Sequence, residues 1–158
     1  MHVVSLVLSR IDYCNSLFGW SLVGKLQGVQ NSAVQLVVCA LPHVHSTPIL
    51  RHLHWLPVRS RIPYKTACLC FNAIISSTPA YFSDFLHLYS PSRPLRSSAD
   101  TRLLKIPLYK CKTKGDRAFS YCGPSVWNSL PLHIRNATTI DTFKSALKAY
   151  LFNLQESD

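Results

Sequence analysis

Along most of the chain, apolar residues recur at helical rather than alternating spacing. From 21 to 40 they fall at Leu22, Leu26, Val29, Ala33, Leu36 and Ala40, in steps of four and three, the period that lays one face of a helix against a core. Ser21 stands where an N-cap belongs, and Pro42 follows where a helix can no longer continue. Pro57 opens a second stretch that runs to about Ser76, with Ile62, Thr66, Leu69 and Ala73 on one side. Pro63 lies within its first two turns and predicts a kink or a late start. Thr139 or Asp141 starts the last helix, on which Ile140, Phe143, Leu147, Tyr150 (or Leu151) and Leu154 share a face. Thr47-Pro48 and Thr78-Pro79 each pair a capping hydroxyl with a proline at the first helical position, which predicts short helices over 48–54 and 79–87. Gly123-Pro124 opens another towards Ser129, and 2–18 reads as a helix of mixed pattern ending near Gly19.

Between these elements the pattern changes. Residues 90–100, rich in Ser and Pro, are loop chemistry. The segments 103–106 and 109–111 are short extended candidates, at most one small β-hairpin. The expected architecture is therefore mainly α: a helical region over 1–89, a basic loop or hairpin over 90–115 and a helical region over 116–158, packed as one unit. A length of 158 residues with 47% apolar and 15% charged residues supports a real core and excludes a disordered chain. No apolar run reaches the roughly 18 residues that span a bilayer. The stretch 3–8 lacks the basic start of a secretory signal. The expectation is an intracellular protein, cytoplasmic or nuclear and not secreted, with no membrane partner and its six cysteines reduced.

Charge sharpens this picture. The formal net charge is +10, and it is concentrated. Residues 51–117 hold twelve bases against Asp84, Asp100 and Asp116, a net of +9. Clustered charge raises the local potential far more than the same charge scattered, and it points to an anionic partner such as nucleic acid. The plain alternative is a solvated loop. The side chains expected to contact phosphates are Arg93, Arg96, Arg102, Lys105, Lys110, Lys112, Lys114 and Arg117, with Arg59, Arg61 and Lys65 as a second strip. Aromatic residues interleave with the bases. Tyr109, in polar and basic surroundings, is the best candidate for stacking on a nucleobase, whereas Trp55, Phe119 and Trp127 have apolar neighbours and are expected in the core.

Other chemistry finds little support. The run from Gly19 to Leu26 nearly spells a phosphate-binding loop, but Leu26 stands where a hydroxyl must ligate magnesium. Cys68 and Cys70, two apart on a helix, point about 200° apart and cannot share an ion. His43/His45 and His52/His54 have the same spacing, and Cys111, Cys122 and His133 are spaced unlike a zinc site. Gly123-Pro124-Ser125-Val126-Trp127 is not a nucleophile elbow. The seven acids are strung out singly apart from Glu156 and Asp158, so no set of carboxylates gathers for two-metal nucleotidyl transfer. No metal and no cofactor is implied, and the chain is expected not to be an enzyme.

Several phrases occur in one order: Ser9-Arg-Ile-Asp-Tyr-Cys-Asn-Ser-Leu17, Leu26-Gln-Gly-Val-Gln-Asn31, Leu53-His-Trp-Leu-Pro57 with Arg61-Ile62, Pro91-Ser-Arg-Pro-Leu-Arg-Ser-Ser98, Lys112-Thr-Lys-Gly-Asp-Arg-Ala-Phe-Ser120, Trp127-Asn-Ser-Leu-Pro131 and Phe143-Lys-Ser-Ala-Leu-Lys-Ala-Tyr-Leu-Phe152. Together, over about 5–154, they resemble the C-terminal part of the reverse transcriptase of LINE-type (non-LTR) retrotransposons, of the jockey-like and chicken-repeat-like clades. The resemblance implies a thumb-like region over 1–89 and the post-thumb region after it, with the palm and its Ala-Asp-Asp motif upstream of the matched segment. Gly28 and Gln35 stand where bases are expected, and Pro63 where a helix former is usual, which weakens any grip by 21–40. The implied function is a non-catalytic fragment that binds RNA or an RNA–DNA hybrid weakly, through phosphates. The alternatives are a retrotransposon-derived reading frame without a role of its own, self-associating through apolar surface left by the missing palm, or a helical protein-interaction scaffold.

Overall fold

A computed structural model describes residues 9, 12, 20–39, 44–78, 80–90, 102–108 and 118–154. Among these are seven helices and no strand: α1 (Trp20–Val38), α2 (Ser46–His52), α3 (Val58–Ile75), α4 (Ala80–Ser83), α5 (Phe119–Ser129), α6 (Leu132–Arg135) and α7 (Ile140–Leu154). The protein is mainly α, and no described helix is long and apolar enough to cross a membrane. The chain forms two compact units, 1–63 with 150–158, and 64–149. Most of the helix expected over 2–18, Pro42 as a stop, and the loop over 91–100 lie outside the described residues.

In the first unit, α1 begins at Trp20, so Ser21 lies within the helix rather than capping it. Its buried positions are Val23, Gln30 and Val34, not the apolar stripe read from the sequence. Leu22, Val29 and Leu36 are exposed, Leu36 at 78%. The reason is that two glutamines face inward. Gln30 Nε2 donates to the Leu56 carbonyl (2.9 Å), and Gln27 Oε1 accepts the Val58 N–H at the start of α3 (2.9 Å). Val23 and Val58 then close an apolar cluster with Leu26 and Ile62. The helix expected over 48–54 starts two residues earlier, with Pro48 inside its first turn, where a missing N–H costs nothing. It ends in a Schellman turn: His54 N–H bonds to the Arg51 carbonyl (3.0 Å) and Trp55 N–H to the Leu50 carbonyl (2.7 Å). His54 takes the left-handed backbone that closes such a turn (φ 54°). α3 runs through Pro63 without a late start.

The second unit is built around stacked rings. Phe71 of α3 lies 4.5 Å from Phe143 of α7, and Trp127 of α5 lies 5.8 Å from the same ring. Leu104, Ile134 and Leu147 complete a fully buried core, worth about 1.5–3 kcal/mol per large side chain. α5 starts at Phe119, four residues before the expected Gly123-Pro124 opening. Gly123 is instead an interior position on which Cys70 and the Phe119 ring pack: an added Cβ would meet Cys70 Sγ at 3.2 Å. The helix expected over 79–87 is shortened to Ala80–Ser83. Thr139 caps α7, its Oγ1 accepting the Thr142 N–H (3.3 Å). Phe143, Leu147 and Leu151 lie on the inward face as the period requires, while Leu154 is exposed.

The segment 103–106 is extended, but its described partner is 87–89: Leu88 bridges Leu104 antiparallel, with Tyr89 N–H on the Leu103 carbonyl and Lys105 N–H on the His87 carbonyl, both 2.8 Å. Residues 109–111 lie outside the described set. On its other edge Leu104 is paired by a side chain. Its N–H donates to Asn128 Oδ1 (2.9 Å) and its carbonyl accepts from Asn128 Nδ2 (2.8 Å). Leu104 is 2% exposed, so water cannot replace that amide. Asn128→Ala is expected to lower stability by about 2–4 kcal/mol in chemical denaturation, since each stranded buried backbone group costs about 1–3 kcal/mol. A loss below about 0.5 kcal/mol would show that the segment is not held by this pair.

Candidate nucleic-acid interface

Five of the twelve residues expected at the interface lie among the described ones: Arg59, Arg61, Lys65, Arg102 and Lys105. Arg93, Arg96, Tyr109, Lys110, Lys112, Lys114 and Arg117 lie outside them. The described five are not alike. Arg61 is held by Asp12 in a two-pronged ion pair through Nε and a terminal nitrogen. Such a fork engages two of the five guanidinium donors in charge-assisted bonds of fixed geometry. Arg102 is half-buried and donates to the Arg135 carbonyl (3.0 Å), while its own carbonyl accepts the Trp127 indole N–H (2.7 Å). It holds positive φ, 78°, a backbone that non-glycine residues adopt only under tertiary constraint. Arg135, itself buried, donates through Nε to the Leu130 carbonyl (2.9 Å). Arg59, Lys65 and Lys105 are exposed. Around α3, Arg59 and Lys65 fall about 120° apart, so the expected second strip does not line up along one face.

Trp127 is 1% exposed, as its apolar neighbours led one to expect, and Phe119 is half-buried, its ring tilted against Phe82 at 4.5 Å. Trp55 differs. It is half-buried and, with Arg51 and Arg59, lines a cavity of about 440 Å³ in the first unit. The remaining wall includes Val23, Leu50, Phe152 and the polar Gln27 and Asn31. Sequence spacing offered a signal, Arg51, Trp55 and Arg59 standing four apart.

Cys39, Cys68, Cys70 and Cys122 are free thiols. No group of three His, Cys, Asp or Glu side chains is arranged to hold a metal among the described residues. Burial pushes the Cys70 thiol up to about 12, with the neighbouring Cys122 and Cys68 adding to the effect. Burial likewise pushes Cys68 up to about 11, against the pull of Lys144 and a hydrogen bond from Tyr64. Cys122 is also raised, by burial. These thiols are protonated packing groups at neutral pH, the opposite of an activated nucleophile. Comparison with known protein families, curated proteins and solved structures returns no match.

The thiols predict an alkaline limit. A proton held more tightly in the folded state stabilises below the ordinary thiol value of 9.0, and that stabilisation is lost as pH rises towards about 12. Denaturation at pH 8 and pH 10 is expected to show a smaller loss for Cys70→Ala than for the unaltered chain. Equal losses would mean that Cys70 does not carry the effect.

Proposed function

We propose that the chain is a non-catalytic, nucleic-acid-binding portion of a LINE-type reverse transcriptase, holding RNA or an RNA–DNA hybrid through phosphates. The observation that carries this reading is the segregation of charge: twelve bases against three acids in 51–117, and near balance on either side. Lys105 is exposed beside the strand-like pairing of 103–105 with 87–89, which ties the basic segment to a helical core. The resemblance of the ordered phrases to that family supports the reading, and the dispersed carboxylates fit a part that grips rather than reacts. Backbone contacts of this kind position a strand without reading its sequence.

Titration with single-stranded RNA at several salt concentrations tests it. Contact with about five phosphates gives a slope of log K on log salt near −3.5. Replacing Lys105, Lys110, Lys112 and Lys114 with Gln is expected to bring the slope towards zero. A flat dependence, or no binding at low salt, overturns the reading.

A second reading, a retrotransposon-derived polypeptide that self-associates and has no role of its own, is favoured by one surface. Leu22, Val29 and Leu36 stand seven apart on α1 and are 44%, 54% and 78% exposed, with Val37 and Val38 beside them. Apolar side chains grouped in this way favour a covering surface. Sedimentation velocity is expected to show concentration-dependent association that Leu36→Glu abolishes. A monomer at all concentrations removes the second reading.

A further inference from the structure

The pairing of 87–89 with 103–105 has two outer edges, and among the described residues only one of them is filled. Its two bonds, Tyr89 N–H to the Leu103 carbonyl and Lys105 N–H to the His87 carbonyl, flank Leu88 and Leu104, which face each other without bonding. The N–H and C=O of these two residues therefore point outwards, in opposite directions. Those of Leu104 meet Asn128. Those of Leu88 meet no hydrogen-bond partner among the described residues. Leu88 thus offers the same pair, one donor and one acceptor, that Asn128 satisfies on the far side. Its side chain is 63% exposed, against 2% for Leu104. Opposed residues share a face of a pleated pair, so Leu88 carries the apolar layer of Leu104 out to an uncovered rim.

Strand addition answers a free backbone pair and an apolar rim together. Charge selects the strand. His87, Tyr89 and Lys105 lie on the face opposite Leu88 and are exposed, with Lys105 directly across from His87. Residues 51–117 carry a net of +9 with Asp84, Asp100 and Asp116 already counted. A second copy of the chain would bring the same charge to the contact, and like charge opposes it. A phosphate backbone would answer the charge and leave the Leu88 side chain uncovered. We propose that the outer edge of 87–89 takes an extended acidic peptide of a partner protein as a further antiparallel strand. An apolar residue of the peptide exchanges two bonds with Leu88 and covers its side chain. The residues on either side of it, on the other face, are carboxylates. One lies beside His87, and Lys105, two strands or about 10 Å away, is within the joint reach of the two long side chains. The pattern recognised is acidic–apolar–acidic. Leu88 has no part in the strand-binding reading, so the two stand or fall separately.

The test follows the backbone amide resonance of Leu88 in the full chain. The probe is a blocked seven-residue peptide of alternating glutamate and valine. It is expected to shift the resonance saturably at millimolar concentration or below and to slow exchange of the amide proton. Methylating the valine nitrogens removes the donor to the Leu88 carbonyl and is expected to weaken binding at least about tenfold. Methylating the glutamate nitrogens, which point away from the edge, is expected to change it less than about threefold. A peptide of glutamate alone lacks the apolar residue, and a lysine–valine peptide has the opposite charge; each is expected to bind at least about tenfold more weakly. Leu88→Pro deletes an outward N–H that bonds to no described residue. The unfolding midpoint is expected to stay unchanged while affinity, read by the Tyr89 amide, falls about tenfold. If that variant fails to fold, the methylated peptides decide. Single-stranded RNA that protects the Leu88 amide as well as the peptide does would assign the edge to nucleic acid and overturn the proposal. So would no shift at millimolar peptide, equal binding by the all-glutamate or lysine–valine peptide, or indifference to the methylated valines. A flat salt dependence for RNA removes the strand-binding reading and leaves these outcomes in place.

Discussion

An extended backbone inside a helical protein must find partners for its amides or stay in water. Leu104 is buried and extended, and the structure meets this constraint with two consecutive side chains of α5. The Asn128 amide copies a neighbouring strand, giving one donor and one acceptor to Leu104, while Trp127 puts its indole N–H on the Arg102 carbonyl. The opposite edge is paired by 87–89. Segment 102–105 is thereby fixed on both edges, and it lies in the middle of the most basic stretch of the chain. Whatever 91–117 does, it does from an anchored midpoint. The phrase Trp127-Asn-Ser-Leu-Pro131 thus has a physical content: a ring for the core and an amide for a strand.

The first unit solves a similar problem by similar means. Gln27 and Gln30 reach from α1 to the Val58 N–H and the Leu56 carbonyl. Each spares a buried backbone group a cost of about 1–3 kcal/mol. Using polar side chains as the inward face has a consequence on the other side of the helix, where Leu22, Val29 and Leu36 are left exposed. The same two glutamines hold the start of α3 against α1, next to the Schellman turn that places Trp55. The cavity is therefore a by-product of how the helix ends are satisfied, and its wall is as rigid as those bonds.

Three helices were legible in the sequence because their signals agree. For α3, Pro57 marks the start and apolar spacing the length; for α7, Thr139 or Asp141 marks the start and Phe143 and Leu147 share a face with Tyr150 or Leu151; for α1, the spacing indicates the helix. The inward face of α1 was not legible, because periodicity counts apolar residues and cannot know that a glutamine will find a carbonyl 26 positions away. The start of α5 was misplaced for a related reason. Gly123-Pro124 has the chemistry of a helix opening, yet Gly123 is needed inside, where Cys70 and Phe119 leave no room for a Cβ without adjustment. Pro63 predicts a kink or a late start, yet α3 begins at Val58 and continues through it. In the candidate interface, the sequence located the charge but could not say which cations are spent internally. The pairing of Arg61 with Asp12, 49 positions away, leaves no local trace.

That internal spending bears on what kind of recognition is open to the protein. Arginine forks read flat, directional acceptors, whereas lysines act as point charges. Arg61 is committed to a carboxylate, and Arg102 and Arg135 to backbone carbonyls. Exposed Lys65 and Lys105 are suited to following a phosphate backbone and carry no information about bases. Arg51 and Arg59 line a concave surface with Trp55, and they too have partners within the fold. A strand held by diffuse charge would dissociate readily as salt rises.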